Sequence, residues 1–210
     1  MTGGQCHRPL RRTLEQVRRW VVVYTHRIRI TIRLVTGFWD IGHKLFRTTP
    51  ETYPAKFLAG DVFDEAHLSL APPIPSGPPP LVASVNTLTE LRGHISAIFA
   101  SCFFHLFNEE KQFELSKRLA ALLDPRPGSI IFGAHSAMPA KGECRTTYMS
   151  MFCHSPESWT QMWEEQIFEK GQVKVSTVLK EWKMDRRRER VVPADEGTKF
   201  YWLAWSIERL

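Results

Sequence analysis

Apolar and polar positions along the 210-residue chain change period several times, and each change predicts an element. Two β-forming runs come first, Trp20-Val-Val-Val-Tyr24 and Ile28-Arg-Ile-Thr-Ile-Arg-Leu-Val35. In the second, Ile28, Ile30, Ile32 and Leu34 alternate with Arg29, Thr31 and Arg33, the period of a half-exposed strand. Arg18 to Val35 therefore reads as a strand pair. Phe38, Ile41 and Leu45 then fall on one helical face, and Lys56 to Asp64 reads as a short strand running into a turn. Pro72, Pro73, Pro75, Pro78, Pro79 and Pro80 follow, a density that excludes core structure and predicts a surface loop or insertion over 71–80.

From Leu88 the pattern becomes regular. Ile95-Ser-Ala-Ile-Phe-Ala100 is a compact apolar run suited to a buried parallel strand. Asn108 is a candidate N-cap, with Glu109 and Glu110 where the helix dipole favours acids. Leu115, Leu119, Leu122 and Leu123 make one buried stripe, which Asp124-Pro-Arg-Pro-Gly128 ends. Ser129 to His135 is the next strand, completing a right-handed βαβ unit. Ser155-Pro-Glu starts another helix, with Trp159, Met162, Trp163 and Ile167 on one face as core packing. Two last strands, Val173 to Trp182 and Thr198 to Ile207, are joined through a polar loop from Asp185 without a helix, so they pair antiparallel. The expected class is α/β: a mostly parallel, Rossmann-like sheet ending in an antiparallel hairpin.

Composition changes this picture mainly by exclusion. A hydrophobic content of 43% with 11% aromatics excludes a disordered chain, and no apolar run is long enough for a membrane span. The start lacks the apolar core of a secretory signal, and Cys6, Cys102, Cys144 and Cys153 form no CxxC pair, which predicts reduced thiols and a cytoplasmic protein. The net charge of +6 comes from residues 1–36, where eight arginines and one acid, Glu15, make +7 against −1 for the remainder. The near-neutral remainder argues against a nucleic-acid surface. The domain reading is an atypical Arg-rich segment, 1–36, followed by one domain, 37–210.

Candidate chemistry sits at strand ends, because open α/β sheets bind ligands at their carboxyl edge beside the point where strand order reverses. One such end is Gly60-Asp61-Val62-Phe63. A carboxylate followed by a backbone amide suits an adenine edge, and equally suits a plain Asp turn. The other is Ala100-Ser101-Cys102, followed by His105. His105 is the candidate general base for a hydroxyl acceptor, although a packing role beside the Asn108 helix start ranks ahead of it; His135 is the runner-up. His154 lacks zinc-site spacing, and no metal is expected.

Several ordered segments resemble the small class I S-adenosylmethionine-dependent methyltransferases of fungal meroterpenoid and related secondary-metabolite clusters. They are Phe57 to Asp64, Leu91 to Ser101, Phe103 to Glu110, Pro127 to Gly133 and Phe152 to Trp159, and the likeness runs from about Phe38 to the C-terminus. The resemblance implies a seven-stranded sheet closed by an antiparallel hairpin, with S-adenosyl-L-methionine held by Asp61, Val62, Ala100 and Ser101. It implies methyl transfer to a small terpenoid or polyketide-derived acceptor, often O-methylation of a carboxylate. The family's glycine-rich turn after the first strand, and the acid ending the second, have no counterpart here: Gly3-Gly4 follows no strand and Asp40 lies inside a helical pattern. That departure predicts a truncated or altered N-terminal part. It leaves two further readings, a methyltransferase-like remnant that binds a partner or does nothing, and a homodimer that rebuilds the missing part of the site.

Overall fold

The computed structural model describes residues 21–25, 28–33, 37–49, 51–53, 55–71, 78, 80–81, 83–145, 150–182 and 199–210, with side chains from Trp39 onward. The Arg-rich residues before 21, most of the proline run and the polar loop after Asp185 lie outside the described residues.

Seven strands form one sheet: β1 (Val21–Thr25), β2 (Ile28–Arg33), β3 (Ala55–Ala59), β4 (Ala97–Phe99), β5 (Ile130–Ala137), β8 (Val173–Glu181) and β9 (Tyr201–Arg209). Their spatial order is β3-β2-β1-β4-β5-β9-β8. Chain order descends to β1 and then jumps to β4, so the sheet has the order reversal of a doubly wound, Rossmann-like fold. The pairings β2–β3 and β4–β5 are parallel, and β8–β9 is the expected terminal antiparallel hairpin. Following the pairings across the sheet, β2, β3, β4, β5 and β8 share a direction.

β1 and β9 oppose them. The expected strand pair is β1–β2, antiparallel in the register Val21↔Ile32 to Thr25↔Ile28. Only residues 26 and 27 join the two strands, and so short a connection allows no parallel crossover. β1 consequently lies antiparallel to β4 as well, with Val22 opposite Phe99.

Helix α1 (Gly37–Phe46) precedes β3 and α2 (Glu109–Leu122) crosses from β4 to β5. The Asn108 side chain accepts the Lys111 N–H and caps α2, which stops before the Asp124-Pro step. Leu115, Leu119 and Leu122 of α2 join Leu58, Ile98, Ile131, Leu203 and Ile207 of the sheet in one core. On α1, Trp39 stacks on Phe57 of β3 at 5.3 Å, while Ile41, Leu45 and Phe46 are exposed. Helix α3 (Pro156–Gln161) is capped by Ser155 and widens into a π-helical turn, Met162–Ile167. Trp159, Met162 and Trp163 are buried, as their shared face predicts.

A short second sheet, β6 (Gly142–Arg145) with β7 (Ser150–Cys153), has no counterpart in the sequence reading. Its register puts Cys144 and Cys153 on one face, where the two buried thiols meet. Among the described residues no helix is long and apolar enough to cross a membrane.

Candidate functional site

The two predicted strand ends lie on the same edge, because β3 and β4 point the same way with β2 and β1 between them. β3 runs into Gly60-Asp61-Val62-Phe63. The Asp61 carboxylate accepts the Phe63 N–H through Oδ1 at 3.0 Å, an Asx turn, and the Asp64 N–H returns to the Asp61 carbonyl at 3.0 Å. No other protein donor reaches the Asp61 carboxylate among the described residues, and the Val62 side chain is buried. The turn and the open carboxylate oxygen coexist, so the two readings of this tetrapeptide are compatible.

Gly60 is required here. A Cβ at this position would strike the ring of His67, which packs over the turn. Burial pushes the His67 imidazole below its ordinary pKa, against the opposing pull of Asp64 and Asp61. The loop is held from the other side by Arg118 of α2. That guanidinium, 3% exposed, donates to the Leu68 carbonyl and bridges Glu114 at 2.8 Å and Glu65 at 3.2 Å.

β4 runs into buried Ala100 and then Ser101, whose Oγ donates to the Ala134 carbonyl at 3.2 Å. Cys102 takes a left-handed backbone, φ 54°, and its N–H also donates to Ala134 O, at 2.8 Å. The sharp turn feeds the 3-10 turn Phe104–Leu106 that carries His105. His105 is buried, and its Nδ1 accepts the Ser136 N–H of β5 at 3.5 Å.

Aromatic contacts connect the two ends. Phe63 meets Phe107 edge-on at 5.0 Å, Phe107 meets Phe103 at 5.3 Å, and Lys111 Nζ lies 4.5 Å over the Phe63 ring. Buried Gln112, missed in the sequence because it reads as one more polar helix residue, donates through Nε2 to Phe107 O and Phe152 O at 2.9 Å each. It clamps the loop after β4 to β7.

Behind that loop is a buried aromatic and histidine cluster. His135 Nδ1 accepts from Trp205 Nε1 at 2.9 Å, and its ring contacts Phe104 and Trp159. His154 pairs through Nδ1 with Ser158 Oγ at 2.9 Å and its ring lies against Trp159. Burial drives the His135 pKa well below its ordinary value and pushes that of His154 down to about 4. Both rings are neutral.

The structure therefore brings Asp61, Val62, Ala100, Ser101 and His105 to one edge. Their fit to S-adenosylmethionine is one-sided. An Asp61 oxygen without a protein donor and the adjoining backbone suit an adenine edge. β1, however, enters at this edge and leaves at the other, so its carboxyl end does not share the edge of Asp61 and Ser101.

This sheet order, with its strand-end turns on the carboxyl edge, is that of a Rossmann-like α/β domain, and the chain is homologous to fungal secondary-metabolite methyltransferases. It is 34% identical over 142 residues to the O-methyltransferase phiE of a fungal species, covering 67% of this chain and 41% of that protein. It is 27% identical over 174 residues to the methyltransferase adrK of Penicillium rubens, covering 82% of this chain and 54% of the relative. With the Asnovolin E/Chermesin D methyltransferase nvfJ of Aspergillus novofumigatus it shares 26% identity over 180 residues, 84% of this chain and 55% of the relative. The chain thus spans about half the length, or less, of these curated relatives. No family model matches it.

Proposed function

We propose that the chain provides the adenine-side and acceptor-side part of an S-adenosylmethionine-dependent methyltransferase of fungal secondary metabolism, transferring methyl to a small terpenoid or polyketide-derived carboxylate. The observation that carries the reading is the meeting of the Asp61 turn and the Ser101–Phe107 loop at one carboxyl edge, joined by Phe63 and Phe107. When bound, S-adenosylmethionine supplies an electrophilic methyl on a sulfonium. Asp61 would accept the adenine amino group through its open oxygen, and the Val62 N–H would donate to the ring nitrogen. Ala100 and Ser101 would border the sulfonium, with Ser101 oriented by its bond to Ala134 O.

An in-line displacement gains most from positioning and water exclusion, which the Phe63, Phe103 and Phe107 contacts support. A carboxylate acceptor is already ionised near neutral pH and asks no general base of His105. The burial of His105 and its bond to Ser136 favour that acceptor over a hydroxyl. The name of the phiE relative supports O-methylation.

Calorimetry with S-adenosylhomocysteine tests the reading. Binding that weakens about tenfold or more in Asp61→Asn, without a change in melting temperature, is expected for loss of one charge-assisted bond. No heat at millimolar ligand would reject it. A second reading, a methyltransferase-like domain without cofactor affinity of its own, is favoured by the direction of β1, and the same null titration would support it.

A further inference from the structure

Three ring nitrogens of the buried cluster behind the acceptor-side loop, His135 Nε2, His154 Nε2 and Trp159 Nε1, have no hydrogen-bond partner among the described residues, and Nε1 of the neighbouring Trp163 is a fourth. The first three belong to residues 1%, 3% and 0% exposed, which come from β5, the residue following β7, and α3. Their rings adjoin, with Trp159 4.6 Å from His135 and 5.4 Å from His154 between centroids. Leaving a buried donor unpaired costs about 1–3 kcal/mol, so two or three around one indole call for an occupant.

The hydrogen-bond chemistry fixes what the occupant must be. An indole N–H only donates, so the bond from Trp205 Nε1 at 2.9 Å shows that His135 Nδ1 is bare. Burial keeps the ring neutral, and its single proton therefore sits on Nε2. Trp159 Nε1 is a second fixed donor. His154 is neutral also, held through Nδ1 by Ser158, and its ring lies against the same indole. The other rings in contact with them are Phe104, Trp163 and Trp205, which offer no acceptor to either donor. Two N–H donors disfavour a cation and suit an acceptor oxygen, and rings 4.6 and 5.4 Å apart between centroids favour a small one.

We infer that His135 Nε2–H and Trp159 Nε1–H form a site for a single acceptor oxygen, with His154 Nε2 as third neighbour. Two sources carry that chemistry: an ordered internal water, or the carboxylate oxygen of a small acid. The carboxylate source rests on the methyltransferase reading, since it would make the cluster the far wall of the acceptor site. The water source does not.

Crystals of the full chain, free and soaked with benzoate, separate them. A density peak about 3 Å from both His135 Nε2 and Trp159 Nε1 in the free protein identifies water. A peak present only with benzoate, continuous with the aromatic ring, identifies the carboxylate. No peak in either crystal overturns the site. In solution, Trp159→Phe keeps an aromatic ring at the position and removes one donor, and the His135 Nε2 ¹⁵N resonance should shift. An unmoved resonance also overturns the proposal. Neither readout depends on S-adenosylhomocysteine binding, so failure here and failure of the methyltransferase reading are distinguishable.

Discussion

Gly133 is where the parallel pair β4–β5 is most sensitive to a single added atom. A Cβ there would fall inside the van der Waals sphere of the Ala100 carbonyl oxygen, 2.6 Å from the Ala100 carbonyl carbon and 3.1 Å from Trp205 Cζ2. The obstructing atoms are backbone, so no side chain can swing aside, and the two strands must part by about 1 Å to accept Gly133→Ala. Three bonds hold them together at this level: Ala100 N–H to Phe132 O at 2.9 Å, Cys102 N–H to Ala134 O at 2.8 Å, and Ser101 Oγ to Ala134 O at 3.2 Å. Overpacking costs about 1–3 kcal/mol and each stretched bond adds about 0.5–1.5. The expected loss is roughly 3–5 kcal/mol, a fall in melting temperature of roughly 10 °C for a domain of this size.

Thermal unfolding followed by circular dichroism measures it. Gly142→Ala in β6, where a Cβ would meet nothing within 4 Å, is the control and should change little. A fall in Gly133→Ala below about 3 °C would refute the close approach of β5 to the Ala100 carbonyl, and with it the stated geometry of the Ser101 turn.

Arg118→Leu removes the guanidinium that joins Leu68 O, Glu65 and Glu114, and should cost about 2–4 kcal/mol in urea unfolding, with an unchanged midpoint counting against the clamp. Gln112→Leu leaves the Phe107 and Phe152 carbonyls without their shared donor and should cost about 1–3 kcal/mol by the same measurement; a neutral result would show that neither bond persists in solution. Stability should fall as the pH drops below about 6.5, because the unfolded chain protonates His135 and His154 there while the folded protein holds His154 at about 4 and His135 well below its ordinary value. The slope approaches about 1.4 kcal/mol per pH unit for each histidine, and His154→Gln should flatten it; a urea midpoint constant from pH 7 to 5 would contradict the buried neutral state.

Periodicity carried the elements whose signals are local. The α2 stripe with its Asn108 cap, the Ser155-Pro156 start of α3, and the final strand pair all follow from spacing within a dozen residues, and all stand in the structure. β6 and β7 did not register because they are 4 residues each and bury their shared face against a small cluster that includes Phe200, remote in sequence. The α1 pattern was legible as a helix but misleading about burial, since Trp39 makes the contact with β3 while Ile41 and Leu45 stay exposed. At the site, strand-end position alone singled out Asp61 and Ser101. Gln112, Arg118 and the pairing of Trp205 with His135 act over 40, 50 and 70 residues, and nothing in their local sequence announces a partner.

The direction of β1 is the feature on which the cofactor question turns. β1 occupies the centre of the sheet, between β2 and β4, at the point where strand order reverses and a ligand would lie. Val22 opposite Phe99 and Val21 opposite Ile32 place the start of β1, not its end, on the edge that carries Asp61 and Ser101. A glycine-rich turn leaving β1 would emerge at the far edge, where β2 begins. The Asp61 and Ser101 ends are therefore built by long-range contacts that do not require β1 to run parallel: Arg118 to Leu68, Phe63 to Phe107, and Ser101 to Ala134. On the proposed reading, the adenine-side and acceptor-side half of the edge can persist without a methionine-side half. Partial retention of S-adenosylhomocysteine binding, weak but sensitive to Asp61→Asn, is the outcome that this arrangement favours over either full affinity or none.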